Sequence, residues 1–173
     1  MYLTTHAAVG VLISQSVSTP LAAFGLSFAS HFVLDVIPHG DENVETWARE
    51  KGKRALLVAT VDVGLLAAFV LSLYATNNLP KIAVTQAGIF GAVVPDLIAI
   101  VFPVIHQYTN WFFLVRATDR IQHWLQLHHL WHGHNALHHF THRLIHKHIS
   151  LRKGIAMQMI IVIMALVLAA QLY

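Results

Sequence analysis

The run from Gly154 to Leu172 constrains the fold most, because Gln158 and Gln171 are its only polar breaks. A helix needs about 20 mostly apolar residues to cross the roughly 30 Å of hydrocarbon in a bilayer. The run has that length and that character. The sequence therefore predicts at least one helix that crosses a membrane.

The rest of the chain is similarly apolar. Of its 173 residues, 56% are hydrophobic and only 11% are charged, whereas about 25% are charged in ordinary soluble domains. A domain of this size buries only about 70% of its surface, so lipid must cover many of the remaining apolar side chains. We predict an all-α, polytopic integral membrane protein with about four to five membrane helices.

Five apolar segments can be distinguished, and turn-forming residues separate the first two. Thr19 and Pro20 suit the start of a helix, because a hydroxyl can cap it and proline fits its first turn. The first segment is short, so it either crosses the membrane or enters and leaves on one side. The segments are Leu3–Val17, Pro20–Ile37, Arg54–Tyr74, Leu79–Ile105 and Gly154–Leu172.

The orientation follows from the basic residues, because short loops rich in Lys and Arg stay in the cytoplasm. These residues lie between the second and third segments and between the fourth and fifth. We predict a bacterial or archaeal cytoplasmic membrane, with the N-terminus inside and the C-terminus outside. The predicted single membrane domain comprises a helical hairpin (1–38), a cytoplasmic loop (39–53), a helix pair (54–105), a His-rich interfacial segment (106–153) and a C-terminal membrane helix (154–173).

The expected partners are the lipid bilayer and a metal ion. Lys and Arg form short clusters beside apolar runs, and the net charge is only +3. This pattern is typical of membrane topology signals and argues against a nucleic-acid partner. There is no cysteine, so any metal must be held by nitrogen and oxygen. Such ligands suit a divalent ion, with Zn expected first and Fe or Mn also compatible.

Ionisable residues in the apolar segments are the candidates for function. At the centre of a membrane helix they cost about 2.5–3.5 kcal/mol, so they usually face a partner or a cavity. His31 and Asp35 are four residues apart, which places them on one face of a helix. The candidate metal ligands, all towards the predicted cytoplasmic side, are His6, His31, Asp35, His39 and Asp96. The candidate catalytic acids, which would take a proton from a metal-bound water, are Asp41 and Glu42.

Structural roles are the alternative for the same residues. His31 with Asp35 can be a helix-stabilising pair, and His39 can be an ordinary loop residue. Asp96 follows Pro95 and can be a capping carboxylate at a kink. Asp62 and His106 are expected either to be satisfied by neighbouring helices or to lie at an interface.

Three short motifs resemble the signatures of the YdjM-like membrane-bound, metal-dependent hydrolases. They match T-H-x-x-x-G at Thr5–Gly10, S-H-x-x-L-D at Ser30–Asp35 and G-x-x-x-P-D at Gly91–Asp96. The resemblance implies a multi-helix inner-membrane protein with His and Asp at the metal centre of a hydrolase. From the predicted topology we expect this hydrolase to act at the cytoplasmic membrane surface, on a lipid or a phosphoester. The resemblance also implies metal ligation by His6, His31, Asp35 and Asp96.

Ten histidines lie between residues 123 and 148. They alternate with Trp, Leu and Phe, which predicts an amphipathic helix in the headgroup region, either as an anchor or as a site of metal capture. The stretch also matches one H-x-x-x-H-H box, but membrane di-iron oxygenases need several such boxes on separate helices. The main alternative to an enzyme is a non-enzymatic metal-binding or metal-transport membrane protein. The histidines are His123, His128, His129, His132, His134, His138, His139, His142, His146 and His148.

Overall fold

The computed structural model describes residues 1–39, 52–75, 81–109 and 149–171, together with four isolated helical positions at 133, 136, 137 and 140. Every regular element in these ranges is a helix, which confirms the all-α prediction. The predicted His-rich interfacial helix lies outside the described residues apart from those four positions. The helices are α1 (Leu3–Ser16), α2 (Pro20–Leu34), α3 (Gly52–Ala75), α4 (Ile82–Thr109) and α5 (Leu151–Gln171).

The turn between α1 and α2 forms as the sequence predicts. The Thr19 hydroxyl accepts a hydrogen bond from the Ala22 amide at 3.3 Å, and Pro20 is the first helical residue. The cap satisfies one of the amides that a helix start leaves without an internal partner. A sharp reversal follows, so α1 and α2 pack against each other as a hairpin.

Helix α1 is central to the described part of the chain, since it packs against the other four helices described there. Ala7 and Ala8 have no exposed surface. Helix α4 packs closely against both α1 and α2. The site described below lies where these three helices meet.

Glycines allow this close packing. A Cβ on Gly10 would lie 2.6 Å from the Gly88 carbonyl oxygen, and one on Gly88 would collide with the Ser14 hydroxyl. A Cβ on Gly91 would meet the backbone of Phe24 in the same way. Small residues at such positions let helix backbones approach each other closely. The G-x-x-G stretch of α4 therefore holds α1 and α2 at short range.

Contacts between helix ends fix the relative directions of the helices. The Lys81 amine donates to the Val17 carbonyl at 3.2 Å, which places the end of α1 beside the start of α4. His6 near the start of α1 lies beside Asp96 in the later half of α4, so the two helices are antiparallel. His31 late in α2 also lies beside Asp96, so α2 and α4 run in the same direction.

Two helices in the described part of the chain are long and apolar enough to cross a membrane. The windows Leu57–Ala75 of α3 and Leu151–Ala169 of α5 have mean hydropathies of 2.1 and 1.9. Only 6% and 17% of these windows are buried, unlike the core helices of soluble proteins. The apolar stretches Pro20–Leu34 and Ile82–Ile98 are shorter. Of the four to five expected membrane helices, the structure thus supports two as candidate spans.

Candidate metal centre

Three helices bring a group of potential metal ligands together. His6 of α1, His31 of α2 and Asp96 of α4 each offer one ligand atom within 4.8 Å of the others. The carboxylate of Asp35, which directly follows α2, lies against both imidazoles. His6, His31 and Asp96 could hold a metal ion. We call these three residues and Asp35 the metal cluster.

The two imidazoles present the same nitrogen to both carboxylates. His6 Nε2 lies 3.3 Å from Asp35 Oδ1 and 3.9 Å from Asp96 Oδ2. His31 Nε2 lies 3.2 Å from Asp35 Oδ2 and 3.6 Å from Asp96 Oδ1. Each of the two Nε2 atoms therefore lies close to both the Asp35 and the Asp96 carboxylates. This donor set matches the nitrogen and oxygen ligands that Zn and other divalent transition metals use.

The orientation of His31 suits a ligand. Its Nδ1 lies 2.9 Å from the Ala92 carbonyl oxygen, and because a carbonyl can only accept, Nδ1 carries the proton. In a neutral imidazole this leaves the lone pair on Nε2, the atom that faces the cluster. A backbone carbonyl commonly fixes metal-binding histidines in this way. The His6 ring stacks on His31 with ring centres 4.0 Å apart.

Burial makes this arrangement costly unless something satisfies it. His6 and His31 are completely buried and Asp35 is 1% exposed. Among the described residues, neither ring nitrogen of His6 makes a hydrogen bond of regular geometry, and the nearest acceptor to Nε2 in an ion-pair contact is Asp35 Oδ1 at 3.3 Å. Buried polar atoms are nearly always paired, since leaving one unpaired costs free energy. Coordination to a metal ion would satisfy His6 Nε2. Asp96, whose side chain is 16% exposed, marks the accessible side of the cluster.

His39 is the one candidate ligand in the described residues that the structure does not bring into the cluster. Its Nδ1 donates to the Ile37 carbonyl at 2.6 Å, and its Nε2 lies 2.9 Å from the Met1 amino nitrogen. The Met1 nitrogen also donates to Asp35 Oδ1 at 3.0 Å. The Met1 amino group thus lies between His39 and the cluster. Asp41 and Glu42, the candidate catalytic acids, lie outside the described residues.

Asp62 of α3 holds the start of α1. Its carboxylate accepts hydrogen bonds from the Leu3 amide at 2.7 Å, the Thr4 amide at 3.2 Å and the Thr4 hydroxyl at 2.8 Å. Tyr2, at the capping position of α1, makes no side-chain cap. Asp62 therefore supplies the cap from another helix, as expected for a carboxylate satisfied by a neighbour. Its charge also complements the partial positive charge of the helix start.

Gln158 of α5 makes a second polar contact with the start of α1, although in the sequence it is only a break in an apolar run. Its side-chain oxygen accepts from the Tyr2 amide at 2.7 Å, and its side-chain nitrogen donates to the His39 carbonyl at 3.1 Å. A glutamine within a long apolar run was the available signal. Asp62 and Gln158 together fix the beginning of α1, and hence the position of His6.

Comparisons of the chain with protein-family models, with curated proteins and with solved structures found no match.

Proposed function

We propose that this chain is a membrane-embedded, metal-dependent hydrolase whose metal ion is held by His6, His31, Asp35 and Asp96. The observation that carries the proposal is that two buried imidazoles between apolar helices each lie 3.2–3.9 Å from both the Asp35 and the Asp96 carboxylates. Such groups are expensive to place there. A metal site explains the presence of these buried His and Asp side chains better than a role in helix packing does.

The outer surfaces of α3 and α5 support the membrane location. Leu57 and Leu65 of α3 and Ile160 and Met164 of α5 are each more than half exposed. Large apolar side chains covering two long helices favour lipid as their surroundings. We propose that α1, α2 and α4 lie in the same bilayer, packed against these two helices, with the N-terminus in the cytoplasm.

The metal cluster then lies below the membrane surface. Asp62 is five residues after Leu57, where the apolar window of α3 begins, and Gln158 is seven residues after Leu151, where that of α5 begins. At 1.5 Å per residue these offsets are about 8 and 10 Å. Both residues contact the start of α1, which carries His6. This depth favours a substrate that reaches the site from the bilayer.

The proposed chemistry is hydrolysis of an ester or phosphoester. A divalent ion at this site would polarise the scissile group and lower the pKa of a bound water. The protein positions the donors through the Ala92 carbonyl and the packing of three helices, and the exposed side of Asp96 admits the substrate. We assign proton transfer to Asp41 or Glu42, which follow His39 in the chain. Zn is the expected metal, with Fe or Mn as alternatives.

Metal content tests the site. Full-length protein purified in detergent, with any purification tag removed, should retain about one tightly held ion per chain, as a site with these four donors would. A double variant His31→Ala with Asp96→Asn should lose that ion, because two donors are gone. The matched control is Thr85→Ala, which removes an equally buried polar side chain from the same helix as Asp96 without removing a proposed donor. Equal metal content in all three proteins would contradict the assignment.

The non-enzymatic alternative uses the same residues, because buried His and Asp can also form part of a path for metal ions. In the hydrolase the metal stays bound while an ester or phosphoester is cleaved. In a transporter the metal enters protein-containing vesicles without cleavage. Metal-dependent hydrolysis that disappears in the double variant would support the enzyme. Metal uptake without hydrolysis would support transport.

A further inference from the structure

A groove of about 640 Å³ lies between α3 and α5, mostly lined by apolar side chains. It extends along α3 from Leu57 to Ser72, which at 1.5 Å per residue is about 22 Å. Along α5 it reaches from Leu151 to Ile163, and Thr5 of α1 contributes to the lining. The groove is therefore long and apolar, and its lining includes Thr5, which precedes His6 in the sequence, but no residue of the metal cluster.

The shape and setting of the groove fit an acyl chain. Both of its walls are the helices that have the length and hydropathy of membrane spans. In the proposed bilayer, the molecules that meet such an opening are lipids, and burying each methylene of an acyl chain is favourable. An extended hydrocarbon chain matches a groove with these dimensions.

Two basic residues lie in the first turn of α5, at the end of the helix where the groove begins. Arg152 and Lys153 are exposed and directly follow Leu151, which lines the groove. Basic residues at the end of a membrane helix attract anionic lipid headgroups, and Arg pairs with phosphate in a bidentate manner. This end of the groove is therefore complementary in charge to a phospholipid with a net negative headgroup.

We infer that the groove between α3 and α5 binds one acyl chain of an anionic phospholipid, whose headgroup lies at Arg152 and Lys153. This inference names the substrate class of the proposed hydrolase and depends on that proposal for turnover, whereas binding stands without it. Gln158 lies six residues after Arg152, about 9 Å deeper along α5. The ester links of a phospholipid lie between its phosphate and its chains, so this arrangement brings them towards the level of the metal cluster.

A lipid with a photoactivatable acyl chain tests the groove. Full-length protein in nanodiscs is labelled with a phosphatidylglycerol that carries a diazirine on its chain, and the labelled peptides are mapped. Labelling should concentrate on α3 and α5. Ala68→Trp places a large ring in the groove, so its labelling should fall at least about tenfold, because losing two buried methylenes already removes that much affinity.

The matched control is Ala67→Trp. Ala67 is exposed on the same helix, as Ala68 is, but is not among the residues that line the groove. Its labelling should equal that of the unmodified protein. The thermal unfolding temperatures of both variants show whether either is misfolded. If Ala68→Trp unfolds at a lower temperature than the unmodified protein, the same comparison is made on α5. There Ile163→Trp fills the groove, and Ile160→Trp, at an exposed position outside the groove, is the control.

The headgroup is tested separately. Arg152→Gln with Lys153→Gln should lose the preference for the phosphatidylglycerol probe over the same probe with a phosphatidylcholine headgroup. The control is Lys81→Gln, which removes an exposed cation at the opposite end of the helices. An unchanged preference in the double variant would overturn the assignment of the headgroup.

The outcomes separate this inference from the proposed function. Lipid labelling in the groove without metal-dependent hydrolysis would uphold the inference and contradict the hydrolase. Metal-dependent hydrolysis of a water-soluble phosphoester, with no labelling of the groove, would uphold the hydrolase and overturn the inference. Absence of labelling in the unmodified protein, as expected if another part of the chain fills the groove, would also overturn it.

Discussion

At the residue scale, Asp62 does for α1 what a capping side chain usually does within its own helix. The carboxylate comes from a helix 59 residues away along the chain, and it pairs with two amides that α1 cannot satisfy internally. Because Asp62 is only 8% exposed, water cannot easily replace it. The stability of α1 thus depends on α3.

Replacing Asp62 should therefore destabilise the protein. We expect Asp62→Ala to lower the free energy of unfolding by about 2 kcal/mol, because it leaves buried amides unpaired. Asp62→Asn keeps one acceptor oxygen, so its free energy of unfolding should lie between those of the original protein and Asp62→Ala. The measurement is the unfolding temperature in detergent. If both variants unfold like the original protein, the capping role is wrong.

Residue spacing was sufficient to name the members of the metal cluster but not all of their neighbours. His31 and Asp35 were identified because four-residue spacing puts them on one helix face, and His6 and Asp96 because ionisable groups in apolar helices need partners. The direction of His39 was not predictable, since the backbone turn after Pro38 decides it. The contact of Asp62 with α1 depends on tertiary packing, which spacing within one helix does not show.

At the scale of elements, apolar runs bounded by turn residues predicted all five helices. The boundaries differ most in α4, which continues to Thr109 instead of ending at Ile105. The prediction stopped where the apolar residues stop, but a helix can continue through polar residues. Pro103 also lies inside α4, and helices packed against others tolerate proline better than isolated ones.

The close approach of α1 and α4 can be tested at its glycines. Gly88→Ala introduces a methyl group that would collide with Ser14 and Gly10, so we expect a loss of about 1–3 kcal/mol in unfolding free energy and of the bound metal. The control is Gly64→Ala, whose added methyl meets nothing within 4 Å. That change should be neutral or stabilising by about 1 kcal/mol, because alanine favours helices. An equal loss of unfolding free energy in both variants would show that the close approach of α1 and α4 is not the cause.

At the scale of the whole molecule, the arrangement of the helices gives a test of orientation. The basic residues at the start of α5 favour the cytoplasm, and α5 is long enough to cross. A reporter fused after Tyr173 should therefore be extracytoplasmic, and one fused after Ser150 should be cytoplasmic. The same location for both reporters would mean that α5 does not cross.

The central position of α1 has a consequence for the order in which the protein is made. Helix α1 is the first of the five described helices to be synthesised, yet it contacts the other four. The acceptors for the amides at its start, Asp62 and Gln158, are synthesised later. The carboxylate arrives with α3 and the amide side chain only with α5. Once α4 has been synthesised, all four residues of the metal cluster are present. At that point the start of α1 can bond to Asp62 but not yet to Gln158. The contacts at the start of α1 are therefore complete only after α5 has been synthesised.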